Sequence, residues 1–256
     1  MFIASGGHLL NTVTMGGAAR TFVAHGGWVG SWELWQQPME LMQTDWRCIS
    51  YDHRGSGAST APPSEVDPNG LVTDLLCVLD HFDVTRCVLA GESMGALTVI
   101  AAALQQPDRF AGLVIVDGVC ETSGVREDRS TVRDHYAEYV TAFVDACVPE
   151  PDCEHIKRWG RQILMRADPE SAVRMFESHD APRLAPDLTL ITIPTLVIHG
   201  ERDAIVPLAT GIATAAAIPH AEFVVIPGAG HVPTMTRPAQ VVDAITTWVA
   251  SSKLDV

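Results

Sequence analysis

Six short runs of mostly valine, isoleucine and leucine recur along the chain, at 19–24, 47–51, 86–90, 113–116, 195–199 and 222–226. Runs this short and this continuously apolar suit strands buried on both faces, as in parallel sheets covered by helices. Stretches with helical periodicity at 31–43, 69–81, 94–106, 208–217 and 238–250 separate most of them. Such stretches supply right-handed crossovers, the economical way to join parallel strands. Residues 2–15 read as an antiparallel hairpin at the sheet edge, with Gly16-Gly17 as a turn signal. The expectation is an α/β fold with one mostly parallel eight-stranded sheet, and 256 residues are enough to bury its core.

One stretch breaks the alternation. Between 122 and 188 the chain turns charged and helix-like, in segments 134–145, 154–166 and 169–178, punctuated by Pro149, Pro151, Pro169, Pro182 and Pro186. Helices rarely run through proline. The span reads as a small helical cap, 122–188, inserted after the sixth strand into a core formed by 1–121 and 189–256.

Gly91-Glu92-Ser93-Met94-Gly95 joins the third apolar run to a helical stretch. This is the strand, turn and helix of a nucleophile elbow, in which flanking glycines avoid collisions and a serine hydroxyl is held out over the sheet. Asp203 follows the run ending at Gly200, and His231 follows the run ending near Ile226. A serine hydroxyl is a feeble nucleophile at neutral pH. His231 would take the Ser93 proton, and Asp203 would hold the imidazole tautomer and stabilise its cation.

Those residues, with His25-Gly-Gly-Trp28 and Tyr51-Asp-His-Arg-Gly-Ser-Gly57, resemble the α/β-hydrolase superfamily, in particular its small esterases and enol-lactonases. The resemblance implies a triad of Ser93, Asp203 and His231, with a cap that covers the site. It also implies an oxyanion hole from the Met94 amide and an amide of the loop after the third strand, Gly27, with Trp28 as a pocket wall. Trp28 stands where some esterases have a third glycine, which leaves the Gly27 and Trp28 amides as alternatives. Asp117, after the sixth strand, occupies the place where some members carry the triad carboxylate. Ser93 argues against dehalogenases and epoxide hydrolases, which need aspartate there.

The function read from this is a cofactor-independent serine hydrolase of a small ester or lactone. The alternatives are hydrolysis of a carbon–carbon bond with the same three residues, or a ligand sensor with slow turnover. His25 reads as a loop anchor bonded to backbone, His53 and Arg54 as turn or rim residues, and Glu92 as a packing group or a hydrogen-bonding support behind the site. Tyr136, Tyr139, Phe143, Trp159, Met165 and Met175 are candidates for the cap's underside. Gly55-Ser-Gly57 lacks the third glycine of a dinucleotide loop.

A net charge of −14 argues against nucleic-acid and anionic-lipid partners. With no signal-like leader or membrane-length apolar run, the expected location is cytoplasmic, and oligomeric state is left open. There are six cysteines, Cys120 included; Cys48, Cys77 and Cys87 read as small core residues, while Cys147 and Cys153 could close a short disulfide loop. No histidine or cysteine spacing supports a metal site.

Overall fold

The computed structural model describes residues 1–118, 129–179 and 187–256. Cys120, Pro182, Pro186 and the proposed start of the cap lie outside the described residues.

Eight strands form one sheet: β1 (Phe2–Ser5), β2 (His8–Met15), β3 (Thr21–His25), β4 (Arg47–Tyr51), β5 (Cys87–Glu92), β6 (Phe110–Val116), β7 (Thr195–Gly200) and β8 (Glu222–Ile226). Their order is β1-β2-β4-β3-β5-β6-β7-β8. β1 and β2 pair antiparallel, as do β2 and β4, and every later pairing is parallel. The hairpin turn lies at Gly6-Gly7 rather than at Gly16-Gly17, because Ser5 pairs with His8. Both turn glycines have positive φ, 55° and 94°, as a two-residue type I′ turn requires. Gly16 is also in the left-handed region, but it leads out of β2, where a side chain would strike the Trp46 and Gln43 carbonyls.

Strand residues alternate strictly between two apolar layers. Phe22, Ala24, Val88, Ala90, Val114, Val116, Leu196 and Ile198 face one layer, and Val23, Leu89, Leu113, Ile115 and Val197 the other. The first layer is covered by α1 (Gln36–Met42) and the C-terminal helix described below; the second by α2 (Pro68–His81) and α3 (Gly95–Gln105). Asp67 starts α2 by accepting the Asn69 and Gly70 amides at 2.9 and 3.0 Å, with Pro68 at the first helical position. The expected helix over 31–43 is instead a 3-10 turn, Trp32–Trp35, followed by α1.

β8 departs from the expectation of burial on both faces. It is the sheet edge, and Val225 is 36% exposed.

Between β6 and β7 lie α4 (Arg129–Asp134), α5 (Tyr136–Cys147), α6 (Glu154–Leu164) and α7 (Pro169–His179). After β7 come α8 (Leu208–Ala217), then, following β8, α9 (Pro233–Thr236) and α10 (Pro238–Ser251). Cys147 and Cys153 are free thiols, not a disulfide, and Cys48, Cys77 and Cys87 are also free. Burial pushes the Cys48 and Cys87 thiols up to about 12, so both behave as small apolar residues. Among the described residues no helix is long and apolar enough to cross a membrane.

Candidate active site

The carboxyl ends of β5, β6, β7 and β8 bring the candidate residues together. Ser93 follows β5 with φ of 53°, a left-handed conformation that costs a non-glycine residue about 1–3 kcal/mol. The Ser93 amide holds that turn by donating to the Val116 carbonyl at 2.8 Å. The glycines around it answer to close packing. A Cβ on Gly91 would lie 2.5 Å from Val99 Cγ2, and one on Gly95 would lie 2.3 Å from the Gly26 carbonyl oxygen. The elbow is therefore wedged between its own helix and the loop after β3.

His231 Nε2 lies 2.8 Å from Ser93 Oγ, and His231 Nδ1 lies 2.8 Å from Asp203 Oδ2. Asp203 Oδ1 accepts the Ile205 and Val206 amides at 2.8 and 2.9 Å, which fixes the carboxylate plane. The loops bearing Asp203 and His231 interlock: the Arg202 amide donates to Ala229, and a Cβ on Gly200 would fall 2.0 Å from the Gly230 carbonyl. Only glycine permits that approach.

Two carboxyls compete behind His231. Asp117, at φ 46°, is fully buried; one oxygen accepts the Gly200 amide at 2.7 Å, and the other has no hydrogen-bond partner. Burial, then the nearby Asp203 charge, push the Asp117 carboxyl well above the usual range. Burial would raise Asp203 as well, but His231, His199 and the Val206 amide together hold it well below that range. Both directions favour the negative charge on Asp203 over Asp117. Asp117, Asp203 and His231 offer three ligand-type atoms within 4.8 Å of one another. The short Nδ1···Oδ2 contact nevertheless requires a proton on Nδ1, which removes the lone pair a metal would need.

A cavity with about 540 Å³ of empty space, including its open mouth, adjoins Ser93 and His231. Trp28 and Leu34 line it from the core, and Phe143, Val144, Ile156 and Leu164 from α5 and α6. Trp28 is both a wall and a joint: its Nε1 donates to the Ala172 carbonyl at 3.0 Å, and its ring stacks on Phe176 at 4.8 Å. A Cβ on Gly27 would sit 3.0 Å from Ser93 Cβ and 3.1 Å from the Glu92 carbonyl oxygen. Neither the Gly27 amide nor the Met94 amide donates to an acceptor among the described residues. Met94 is the N-cap of α3, where the helix dipole favours negative charge.

Several candidates turn out differently from their sequence reading. His25, read as a loop anchor, is buried, with Nδ1 2.9 Å from the Tyr51 hydroxyl. His53 is buried and its Nε2 braces the Gly27 carbonyl at 3.2 Å. Arg54 forms a two-bond ion pair with Asp74, at 2.7 and 2.8 Å, away from the cavity. Of the aromatic and Met residues proposed for the cap's underside, only Phe143 lines the cavity, and Met165 is 46% exposed.

Sequence reasoning missed two supports of the His231 loop. Glu150, buried between α5 and α6, accepts the Gly230 amide at 2.9 Å and the Thr236 hydroxyl at 2.7 Å. The His231 amide donates to the Cys147 carbonyl at 2.8 Å, so the loop is fastened to the helical insertion. Glu92 accepts the Thr234 hydroxyl at 2.5 Å and leaves its other oxygen unpartnered. Burial, with the Asp203 charge added, pushes the Glu92 carboxyl up to about 8. Pro149 and the buried acid after it were the available signal, since a charged residue held in an apolar turn needs a partner.

The family model described as "Alpha/beta hydrolase family" matches residues 22–244. RutD of Klebsiella pneumoniae (strain 342), provisionally named a carbamate hydrolase, is 26% identical over 233 residues, covering 85% of this chain and 86% of its own. 3-Oxoadipate enol-lactonase 2 of Acinetobacter baylyi (strain ATCC 33305 / BD413 / ADP1) is 25% identical over 247 residues, covering 90% and 88%. The solved structure of a thermophilic esterase from Thermogutta terrifontis superposes with a TM-score of 0.85 at 27% identity, over 98% of this chain and 96% of that one. A model that spans most of the sheet and all three residues of the hydrogen-bonded relay decides the matter: the chain belongs to the alpha/beta hydrolase family.

Proposed function

We propose that this chain is a serine hydrolase that cleaves a small carboxylic ester or lactone through an acyl-enzyme on Ser93. The observation that carries the reading is the continuous relay Ser93 Oγ···Nε2 His231 Nδ1···Oδ2 Asp203, with both contacts at 2.8 Å.

Nε2 accepts the Ser93 proton as Oγ attacks the carbonyl carbon, and the carbonyl π pair moves onto oxygen. The amides of Met94 and of Gly27 or Trp28 receive that oxyanion. The imidazolium, balanced by Asp203, then protonates the departing alkoxide. A water molecule, deprotonated by the same nitrogen, breaks the acyl–Oγ bond and restores the serine. Span 122–188 serves as the cap, and Glu150 holds the His231 loop against it. Acyl transfer of this type requires neither metal nor cofactor. Ester, lactone and carbamate carbonyls all enter the same tetrahedral sequence, so the names of the relatives are compatible with one machine and different leaving groups.

Stopped-flow hydrolysis of p-nitrophenyl butyrate tests the reading. The expected result is a burst of p-nitrophenol equal to the enzyme concentration when deacylation is slow, or Ser93-dependent steady turnover when it is fast. Activity that persists in Ser93→Ala would refute it.

A further inference from the structure

The cavity beside Ser93 holds almost nothing that can bind charge. Its walls are Trp28, Leu34, Phe143, Val144, Ile156 and Leu164, together with other apolar residues and three glycines. Among the described residues its only titratable members besides the Cys147 thiol are Glu92 and His231. His231 already engages Ser93 and Asp203 with its two nitrogens.

Among the described residues, the cations Arg166 and Arg129 are committed elsewhere. Arg166, just beyond the lining residue Leu164, closes on Glu33 and donates to Ser31 Oγ at 3.1 Å; Glu33 also accepts from Trp159 at 3.2 Å. Arg129 lies 4.7 Å over the Phe176 ring and does not line the cavity. Asp203 meanwhile places a carboxylate directly behind His231. A carboxylate entering here would lose its water and find no positive partner among the described residues, which is the most expensive way to bury a charge.

We propose that the cavity selects an uncharged, apolar acyl or alkoxy group, aromatic or branched, and rejects esters whose substituent ends in a carboxylate. This inference rests on the serine-hydrolase reading above. Trp28 and Phe143, packed on each other with ring centroids 5.2 Å apart, both line the cavity and offer aromatic surface to a flat or branched group. Val144, Ile156 and Leu164 complete an aliphatic wall that gains from each methylene removed from water.

Three p-nitrophenyl esters test the proposal on the wild-type chain at pH 7: hexanoate, monomethyl adipate, and adipate with its free terminal carboxylate. The second is one methyl group longer than the third but uncharged, so length and charge separate. The expected kcat/KM for both neutral esters exceeds that of the carboxylate by about 100-fold or more. Carboxylate turnover within about threefold of monomethyl adipate would overturn the inference and leave the hydrolase reading intact, provided Ser93→Ala abolishes all three. Slow turnover of both adipate esters with fast hexanoate would also overturn it, because length would then be the cause. If no ester is hydrolysed and a fluorophosphonate fails to label Ser93, the parent reading falls, and the inference with it.

Discussion

Asp203→Asn separates the two carboxyls behind His231, and the structure dictates how. Asp203 Oδ1 accepts two backbone amides, from Ile205 and Val206, at 2.8 and 2.9 Å. Asparagine has a single acceptor oxygen, and those two donors claim it. Its NH₂ group must then point at His231 Nδ1, where the carboxylate oxygen stood at 2.8 Å. Two donors cannot face each other, so the imidazole shifts its proton to Nε2 and now donates to Ser93 Oγ. The base is lost while the fold is kept. A tautomer error of this kind lowers kcat by about 10⁴, or about 5 kcal/mol at 1.36 kcal/mol per decade.

Asp117→Asn is expected to behave oppositely. Burial pushes the Asp117 carboxyl towards its neutral form, its one hydrogen-bonded oxygen accepts the Gly200 amide, and a neutral amide of the same shape can do the same. Its kcat should stay within about threefold of wild type. The assay is steady-state p-nitrophenyl ester hydrolysis by both variants, with thermal melts to establish that each is folded. A folded Asp203→Asn enzyme retaining a tenth of wild-type kcat, or an Asp117→Asn enzyme losing three decades, would refute the assignment of charge and proton.

Gly27→Ala places a Cβ 3.0 Å from Ser93 Cβ and 3.1 Å from the Glu92 carbonyl oxygen, so kcat should fall by about 10–100-fold as the elbow is displaced; unchanged kcat would show that this approach is slack. Glu150→Ala strips the acceptor from Gly230 and Thr236, worth about 1–3 kcal/mol, and should lower kcat more than it changes KM, whereas Glu150→Gln keeps the acceptor and should restore it; equal loss in both variants contradicts the positioning role. Glu92 is raised to about 8 from an ordinary carboxyl near about 4.3, so its contribution to stability is full below the lower value and is lost as pH climbs through the upper one. The Glu92→Gln variant escapes that loss, and its melting temperature should gain on wild type between about pH 5 and pH 9, by the equivalent of a few kcal/mol; parallel curves would mean the carboxyl is solvated.

The parallel core was legible because its strands are short, continuously apolar and separated by helices, a pattern few other folds tolerate. β8 misled, since Glu222-Phe-Val-Val-Ile has the composition of a central strand and an edge differs from it only in what lies alongside. The hairpin turn was misplaced because two Gly-Gly pairs flank β2 and local sequence does not say which one reverses the chain. At the site, the order Ser93, Asp203, His231 anticipates the relay that the strand ends assemble. What sequence could not supply were contacts between distant segments: Glu150 on Gly230, Thr234 on Glu92, and Val144, Ile156 and Leu164 as wall residues. The first and the last depend on how the helical insertion sits over the sheet, and the second on how α9 meets the end of β5, which no periodicity within one segment encodes.

The covalent step is the centre of the account. Rapid quenching during hydrolysis of a slowly released ester such as p-nitrophenyl trimethylacetate, followed by intact mass and peptide mapping, reads it directly. One acyl group per chain is expected on the peptide carrying Ser93, absent from Ser93→Ala and accumulating in His231→Ala only at a much reduced rate. An acyl group on Cys147, or turnover with no adduct at Ser93, would contradict it.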